Sequence, residues 1–249
     1  MNKGINLLGL ILLTSIAQAA PPDNFVSIRE VDPTIVLEIR YAGAHNFLGR
    51  PVNGYGAPAC WLTKKAAAAL QSVQAELQKF GLSLKVYDCY RPQRAVADFV
   101  AWAKDLNDTK MKKEFYPRVE KINLFRDGYI AEKSGHTRGS AVDLTIVPIP
   151  PPRQREFREK EKLIDCAVPR NKRFPDNTLD MGTGYDCFDP LAHPANQTVG
   201  IEQRKNRLLL KSIMEKNGFV GIAEEWWHFK LKEEPYPDTY FDFKVEEGR

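Results

Sequence analysis

Four cysteines, Cys60, Cys89, Cys166 and Cys187, constrain this 249-residue chain more than any other feature. Their weight comes from what precedes them. Met1 to Lys3 carries a positive charge, Ile5 to Ile16 is mostly apolar, and Ala17-Gln18-Ala19 has the small-x-small form of a signal-peptidase site. An apolar run of about a dozen residues is too short to span a bilayer comfortably. No cysteine follows it directly, so a lipid anchor is not indicated. The expectation is a signal peptide over residues 1–19 and a mature chain, 20–249, exported to the periplasm. In an oxidising compartment an even number of cysteines is paired by default. Four cysteines allow three pairings; Cys60–Cys89 with Cys166–Cys187 is favoured because each bridge is local. No Cys-x-x-Cys pair occurs, so a thiolate metal site has no support.

Hydrophobic residues make up 43% of the chain and charged residues 27%, which excludes a mostly disordered protein. A net charge of +4 without a Lys/Arg block gives no reason to expect a nucleic-acid partner. Beyond the signal, no stretch is apolar enough to cross a membrane. Alternation predicts strands over Phe25–Val31 and Ile35–Tyr41. Thr63 is placed to cap a helix over Lys64–Phe80, ended by Gly81, with Leu70, Val73, Leu77 and Phe80 as its apolar stripe. Further strands are expected over Leu82–Asp88, Ala141–Val147, Phe219–Ala223 and His228–Leu231. Helices are expected over Arg94–Leu106 and Glu202–Asn217. Helices and strands mix without a βαβ rhythm. That predicts an α+β fold, a mainly antiparallel sheet with packed helices, in one domain. Pro148–Asp180, with six prolines and a charge run, reads as a long insertion on the surface.

Two of the four histidines sit in suggestive surroundings. His136 lies in Ser134-Gly135-His136-Thr137-Arg138-Gly139-Ser140-Ala141-Val142-Asp143. A turn at Gly139-Ser140 would let His136 and Asp143 face one groove, with Val142, Leu144 and Ile146 turned into the core. The second, His228, follows Glu225-Trp226-Trp227. A bulge or tight bend at the two tryptophans would bring Glu225 and His228 together. Two imidazoles and a carboxylate suit zinc and leave a fourth position for water, the mark of a catalytic site. Glu225, not needed as a ligand, could take a proton from that water. Each of these residues alone is more often a satisfied core, rim or turn residue; the two segments together bring the metal reading level with that one.

The spacing Ser-x-His-(x)6-Asp with a distant Glu-x-x-His resembles the zinc D,D-peptidases. The longer match resembles the VanX-like D-alanyl-D-alanine dipeptidases, peptidase family M15. It runs through Tyr41, Asn46-Phe47, Gly49 to Tyr55, Asp88 to Phe99, Lys133 to Thr145, Met181-Gly182, Asp186, Asn206 to Phe219, Glu225 to Phe229, and the segments Glu234 to Pro237 and Tyr240 to Phe243. The resemblance implies the Hedgehog/D-Ala-D-Ala peptidase-like fold and one Zn2+ per chain held by His136, Asp143 and His228. It implies Glu225 as catalytic base and Arg91 as the active-site arginine. Ser134, Tyr41 and Asp186 fall on positions that hold the termini of a small D,D-dipeptide, Asp186 facing its ammonium, and Phe99 on the pocket wall. His45 and His193 match no ligand position. The implied activity is hydrolysis of D-Ala-D-Ala in peptidoglycan dipeptide turnover. The rival readings are a related zinc carboxypeptidase or endopeptidase acting on peptidoglycan peptides, and a zinc-binding recognition module without turnover. Arg91→Ala is expected to slow turnover without unfolding the chain. Oligomeric state is left open.

Overall fold

A computed structural model describes residues 20–248; the expected signal peptide, 1–19, lies outside the described residues. The chain runs β1 (Phe25–Ser27), α1 (Ile28–Val31), β2 (Val36–Leu37), β3 (Trp61–Thr63), α2 (Lys64–Gln78), β4 (Leu82–Asp88) and α3 (Gln93–Lys104). It continues through α4 (Lys112–Phe115), β5 (Ala141–Pro148), α5 (Ile201–Lys216), β6 (Phe219–Gly221) and β7 (His228–Leu231). The main sheet has the order β2-β4-β5-β7-β6, and β1 pairs with β3 separately. Only the β2–β4 pairing in the main sheet is parallel. Helix α2 packs on β4 and touches α5, which packs on β6. The mixed α+β architecture with a mainly antiparallel sheet is the one expected from the sequence.

Local chemistry explains the elements. The Thr63 hydroxyl accepts from the Ala66 amide and starts α2 as a side-chain cap. Leu70, Val73 and Leu77 of its apolar stripe are fully buried. Phe80 is not: α2 ends at Gln78, the chain turns, and Phe80 is left 76% exposed.

The two N-terminal strands expected over Phe25–Val31 and Ile35–Tyr41 are mostly not strands. Ile28–Val31 forms a helical turn, and Arg40–Ala42 a 3-10 turn. A strand would send Arg40 and Tyr41 to opposite faces, whereas the turn buries both. The Asn46 amide holds this turn by donating to the carbonyls of Arg40, Gly43 and Arg50. Alternation also fails in β5. Ala141, Asp143 and Thr145 are as buried as Val142, Leu144 and Ile146, because this central strand is covered on both faces.

Both bridges form as expected, Cys60–Cys89 and Cys166–Cys187, with Cα separations of 5.3 and 5.6 Å. The segment after β5 contains no strand or α-helix among the described residues until α5, yet it is not a loosely solvated loop. Asp176 accepts from Arg40, Lys85 and Tyr87, and Gln154 accepts from Lys85. Phe157 stacks on His45 at 4.3 Å. Buried cations under the segment need these acceptors, so the segment is tied down by charge pairing and not by a ladder.

Candidate active site

Three neighbouring strands bring one row of polar side chains into the core. Asp88 is the register partner of Asp143, and Asp143 of His228, across β4, β5 and β7. His136 enters from the 3-10 turn Gly135–Arg138, just before β5. The Ser134 hydroxyl caps that turn by accepting from the His136 amide. Gly139 closes it at φ +77°, and a Cβ there would meet the Phe25 ring at 2.2 Å, so glycine is required on both counts. The turn expected at Gly139-Ser140 is therefore present. So is the bend at Trp226-Trp227: both tryptophans are buried between β6 and β7, and Glu225 Oε2 lies 3.9 Å from His228 Nδ1.

Three donor atoms converge. His136 Nε2 is 3.0 Å from His228 Nδ1 and 3.2 Å from Asp143 Oδ1, and Asp143 Oδ1 is 3.1 Å from His228 Nδ1. In a tetrahedral site with bonds of about 2.0–2.1 Å the ligand atoms lie roughly 3.3 Å apart. The triangle here is close to that size. His136 Nδ1 lies 2.7 Å from the carbonyl of Cys89 and donates to it, which leaves Nε2 with its lone pair toward the other two atoms. Burial works against the charge on Asp143, but the His136 and His228 imidazoles hold its carboxyl below the usual range. Burial also keeps His228 below its ordinary value, in the neutral form that ligates. The donor set fits a divalent cation of the zinc kind.

Around this centre sits a buried network, to three of whose members, Asp88, Tyr55 and Tyr185, the sequence assigns no role. Arg91 grips the fully buried Asp88 through Nε and Nη2, both at 2.9 Å. Tyr55 donates to the other Asp88 oxygen at 2.6 Å. The Arg91 guanidinium lies over the rings of Tyr41 and Phe99, at 5.0 and 4.9 Å. Tyr185 donates to Asp143 Oδ2 at 3.1 Å. The three-residue step from Asp88 to Arg91 at a strand end is the only one of these links that the sequence displays; Tyr55 and Tyr185 come from distant loops.

A cavity of about 200 Å³ opens onto the row, smaller than the roughly 300–1,000 Å³ of sites for drug-sized ligands. Its wall includes all nine residues singled out from the sequence: Tyr41, Arg91, Phe99, Ser134, His136, Asp143, Asp186, Glu225 and His228. Burial, then Asp143 and Asp186, hold the Glu225 carboxyl well above its usual range. Asp186 is pushed up to about 8 by burial and by Asp143, against the hydrogen bond it accepts from Tyr41 at 2.8 Å. It is the one non-glycine with positive φ among the described residues, at 55°, a conformation Asp tolerates better than most. His45 and His193 do not line this cavity. His45 is instead held between Arg40, at 2.6 Å, and Glu114, at 2.7 Å.

Comparison with known proteins places the whole chain in a family. The peptidase family M15 profile, described as D-ala-D-ala dipeptidase, matches residues 22–148 and 163–246. The unmatched 149–162 fall within the tied-down segment after β5. A D-alanyl-D-alanine dipeptidase of Streptomyces coelicolor is 37% identical over 89% of this chain and 98% of its own length. One of Enterococcus faecalis is 34% identical over 90% of this chain and 98% of its own. One of Escherichia coli is 32% identical over 83% of each chain. With a profile match over most of its length and relatives above 30% identity along nearly their whole sequences, this chain belongs to the D-Ala-D-Ala dipeptidase family of M15 metallopeptidases.

Proposed function

We propose that this chain is an exported, zinc-dependent dipeptidase that hydrolyses D-Ala-D-Ala to two D-alanines in peptidoglycan dipeptide turnover. The observation that carries the reading is the convergence of His136, Asp143 and His228 on one point, with Glu225 beside it and Asp186 within the same small cavity. His136 Nε2, Asp143 Oδ1 and His228 Nδ1 would hold the zinc. The chemistry it supplies there is Lewis acidity toward a water and a carbonyl oxygen.

The chain's own residues account for the rest. Glu225, at the cavity wall 3.9 Å from His228, takes a proton from the attacking water and delivers it to the leaving amine; a cation held beside it would favour the ionised form that this role needs. Arg91, locked by Asp88, presents its guanidinium at the cavity wall, where it can donate to the oxygen on which negative charge develops. Asp186 with Tyr41 forms the acidic pole. A buried carboxyl that prefers to keep a proton until about pH 8 lacks a cationic partner, and the free ammonium of a dipeptide provides one. An N-acylated peptide end has no such charge, so it leaves Asp186 protonated and forgoes the ion pair that the ammonium would form. That favours a free dipeptide over the acylated substrates of carboxypeptidases and endopeptidases. Ser134 accepts from the His136 amide, which leaves its hydroxyl proton for a substrate terminus. The periplasmic location rests on the Met1–Ala19 pattern and gains support from two formed disulfides.

The test is hydrolysis of D-Ala-D-Ala and of an N-acylated analogue by the purified mature chain, with a chelator and with zinc restored. The expected result is cleavage of the free dipeptide, loss with the chelator and recovery with zinc. Faster cleavage of the acylated analogue, or turnover indifferent to the chelator, would reject the proposal.

A further inference from the structure

The two oxygens of Asp143 have different surroundings. Oδ1 faces the imidazoles, 3.1 Å from His228 Nδ1 and 3.2 Å from His136 Nε2. Oδ2 faces away from them, 3.1 Å from the Tyr185 hydroxyl and 3.6 Å from Arg91 Nη2. Arg91 is already committed to Asp88 at 2.9 Å, so its reach to Asp143 is the weaker contact. Tyr185 is therefore the main donor to Oδ2.

Proton accounting supports that assignment. A phenol has one proton to give. The alternative acceptor for Tyr185 is the Tyr41 oxygen at 3.4 Å. Tyr41 spends its own proton on Asp186 at 2.8 Å. Between a carboxylate at 3.1 Å and a phenol oxygen at 3.4 Å, the charge-assisted and shorter bond wins. The ring that carries the hydroxyl has little freedom. It stacks on Tyr87 at 4.3 Å with an interplanar angle of 14°, and meets Trp227 edge-on at 5.5 Å. Tyr87 in turn donates to Asp176 at 2.6 Å, in the segment after β5.

We propose that Tyr185 is a positioning residue that keeps Asp143 a one-oxygen ligand, holding Oδ2 back so that Oδ1 alone meets the metal. The role rests on the metal reading above and refines it. A carboxylate free to swing would offer both oxygens and fill the position that a catalytic zinc leaves open for water. Partners of this kind, which orient a ligand without touching the ion, typically contribute 10–100-fold to metal affinity or activity. Neighbouring residues thereby serve the two halves of the site: Tyr185 the ligand, Asp186 the pocket.

Tyr185→Phe removes one oxygen and keeps the ring, its stacking on Tyr87 and its contact with Trp227. Zinc affinity of the mature chain, measured in competition with a chromophoric chelator, should weaken about 10–100-fold, while the metal-free variant still unfolds cooperatively, its melting point lowered by no more than the loss of one buried hydrogen bond. The cobalt-loaded variant should show weaker visible bands, as a four-coordinate ion gains a fifth ligand atom. A 3-fluorotyrosine at position 185 keeps shape and packing but changes donor strength, so it folds in any case and should shift the cobalt bands. Wild-type zinc affinity in Tyr185→Phe, or cobalt bands untouched by the fluorinated ring, would overturn the proposal while leaving the metal site intact. A wild-type chain that binds no zinc would overturn both.

Discussion

Asp143 and His228 are register partners in β5 and β7, and their Oδ1 and Nδ1 atoms lie 3.1 Å apart. Strand pairing, not a flexible loop, sets that distance. Replacing His228 or His136 by alanine deletes one of three donors without disturbing the pairing. Zinc per chain, measured by metal analysis after dialysis, should fall well below one in both variants, with hydrolysis falling in parallel. Full zinc occupancy in either would remove that histidine from the ligand set.

Glu225→Ala separates base from ligand. Its carboxylate approaches His228 at 3.9 Å but is not one of the three converging donors. The variant should keep its zinc and lose turnover by about 10²–10⁴-fold, the usual worth of a positioned acid–base group. Metal analysis beside kcat reads both effects, and loss of zinc would move Glu225 into the ligand set.

Arg91→Ala combines two losses. Removing a donor to a developing oxyanion raises the barrier by about 2.7–4 kcal/mol. The fold adds a cost: Asp88 is fully buried and would lose the guanidinium whose Nε and Nη2 both meet its Oδ2. Breaking such a pair destabilises by about 3–5 kcal/mol. Urea unfolding should therefore show a marked drop in stability alongside slow turnover, with the variant still folded in the absence of denaturant. Unchanged stability would mean that Asp88 is held by Tyr55 alone.

Asp186→Ala should impair cleavage of free D-Ala-D-Ala far more than that of an N-acylated analogue. Loss of one buried charge partner, about 3–5 kcal/mol, corresponds to roughly two orders of magnitude or more in kcat/KM. Equal losses on both substrates would show that the carboxylate shapes the pocket and does not read the ammonium.

Glu114 offers a pH test away from the metal. Burial pushes its carboxyl up to about 7 from an ordinary value of 4.5. A raised carboxyl binds its proton more tightly in the folded chain. The stability it contributes is therefore fully present below about 4.5 and lost as pH rises through about 7. Glu114→Gln still accepts from His45 and no longer titrates. Relative to wild type, the variant should gain on the order of 3 kcal/mol between those two pH values, at 1.36 kcal/mol per pKa unit. Parallel stability–pH curves would place the Glu114 carboxyl at its ordinary value.

Much of the site was legible because its parts are local. Ser134, His136, Gly139 and Asp143 lie within ten residues, and the turn chemistry that folds them together is written in Gly139. The helix over Lys64–Gln78 was legible for the same reason: Thr63 caps it and one stripe packs. The N-terminal strands were misread where alternation met a buried Arg40 and Tyr41, since a 3-10 turn can bury neighbouring side chains that a strand must separate. Asp88, Tyr55 and Tyr185 went unassigned as site residues because a buried aspartate or tyrosine looks the same in sequence whether or not it supports a metal ligand.

The sequence by itself determined the resemblance to a family, the main helices and strands, and the His136, Asp143, Glu225 and His228 constellation; it favoured the local disulfide pairing, and the resemblance supplied the other residues now lining the cavity. It could do so because a short motif, or chemistry that only a few residue types perform, is recorded locally. The tertiary structure decided which atoms meet. Register across β4, β5 and β7 sets Asp88, Asp143 and His228 side by side, and long-range contacts from Tyr185 and the segment after β5 divide the two oxygens of Asp143 between metal and scaffold. Those are pairings between positions far apart in the chain, where the free energy depends on burial and distance and no local pattern records either.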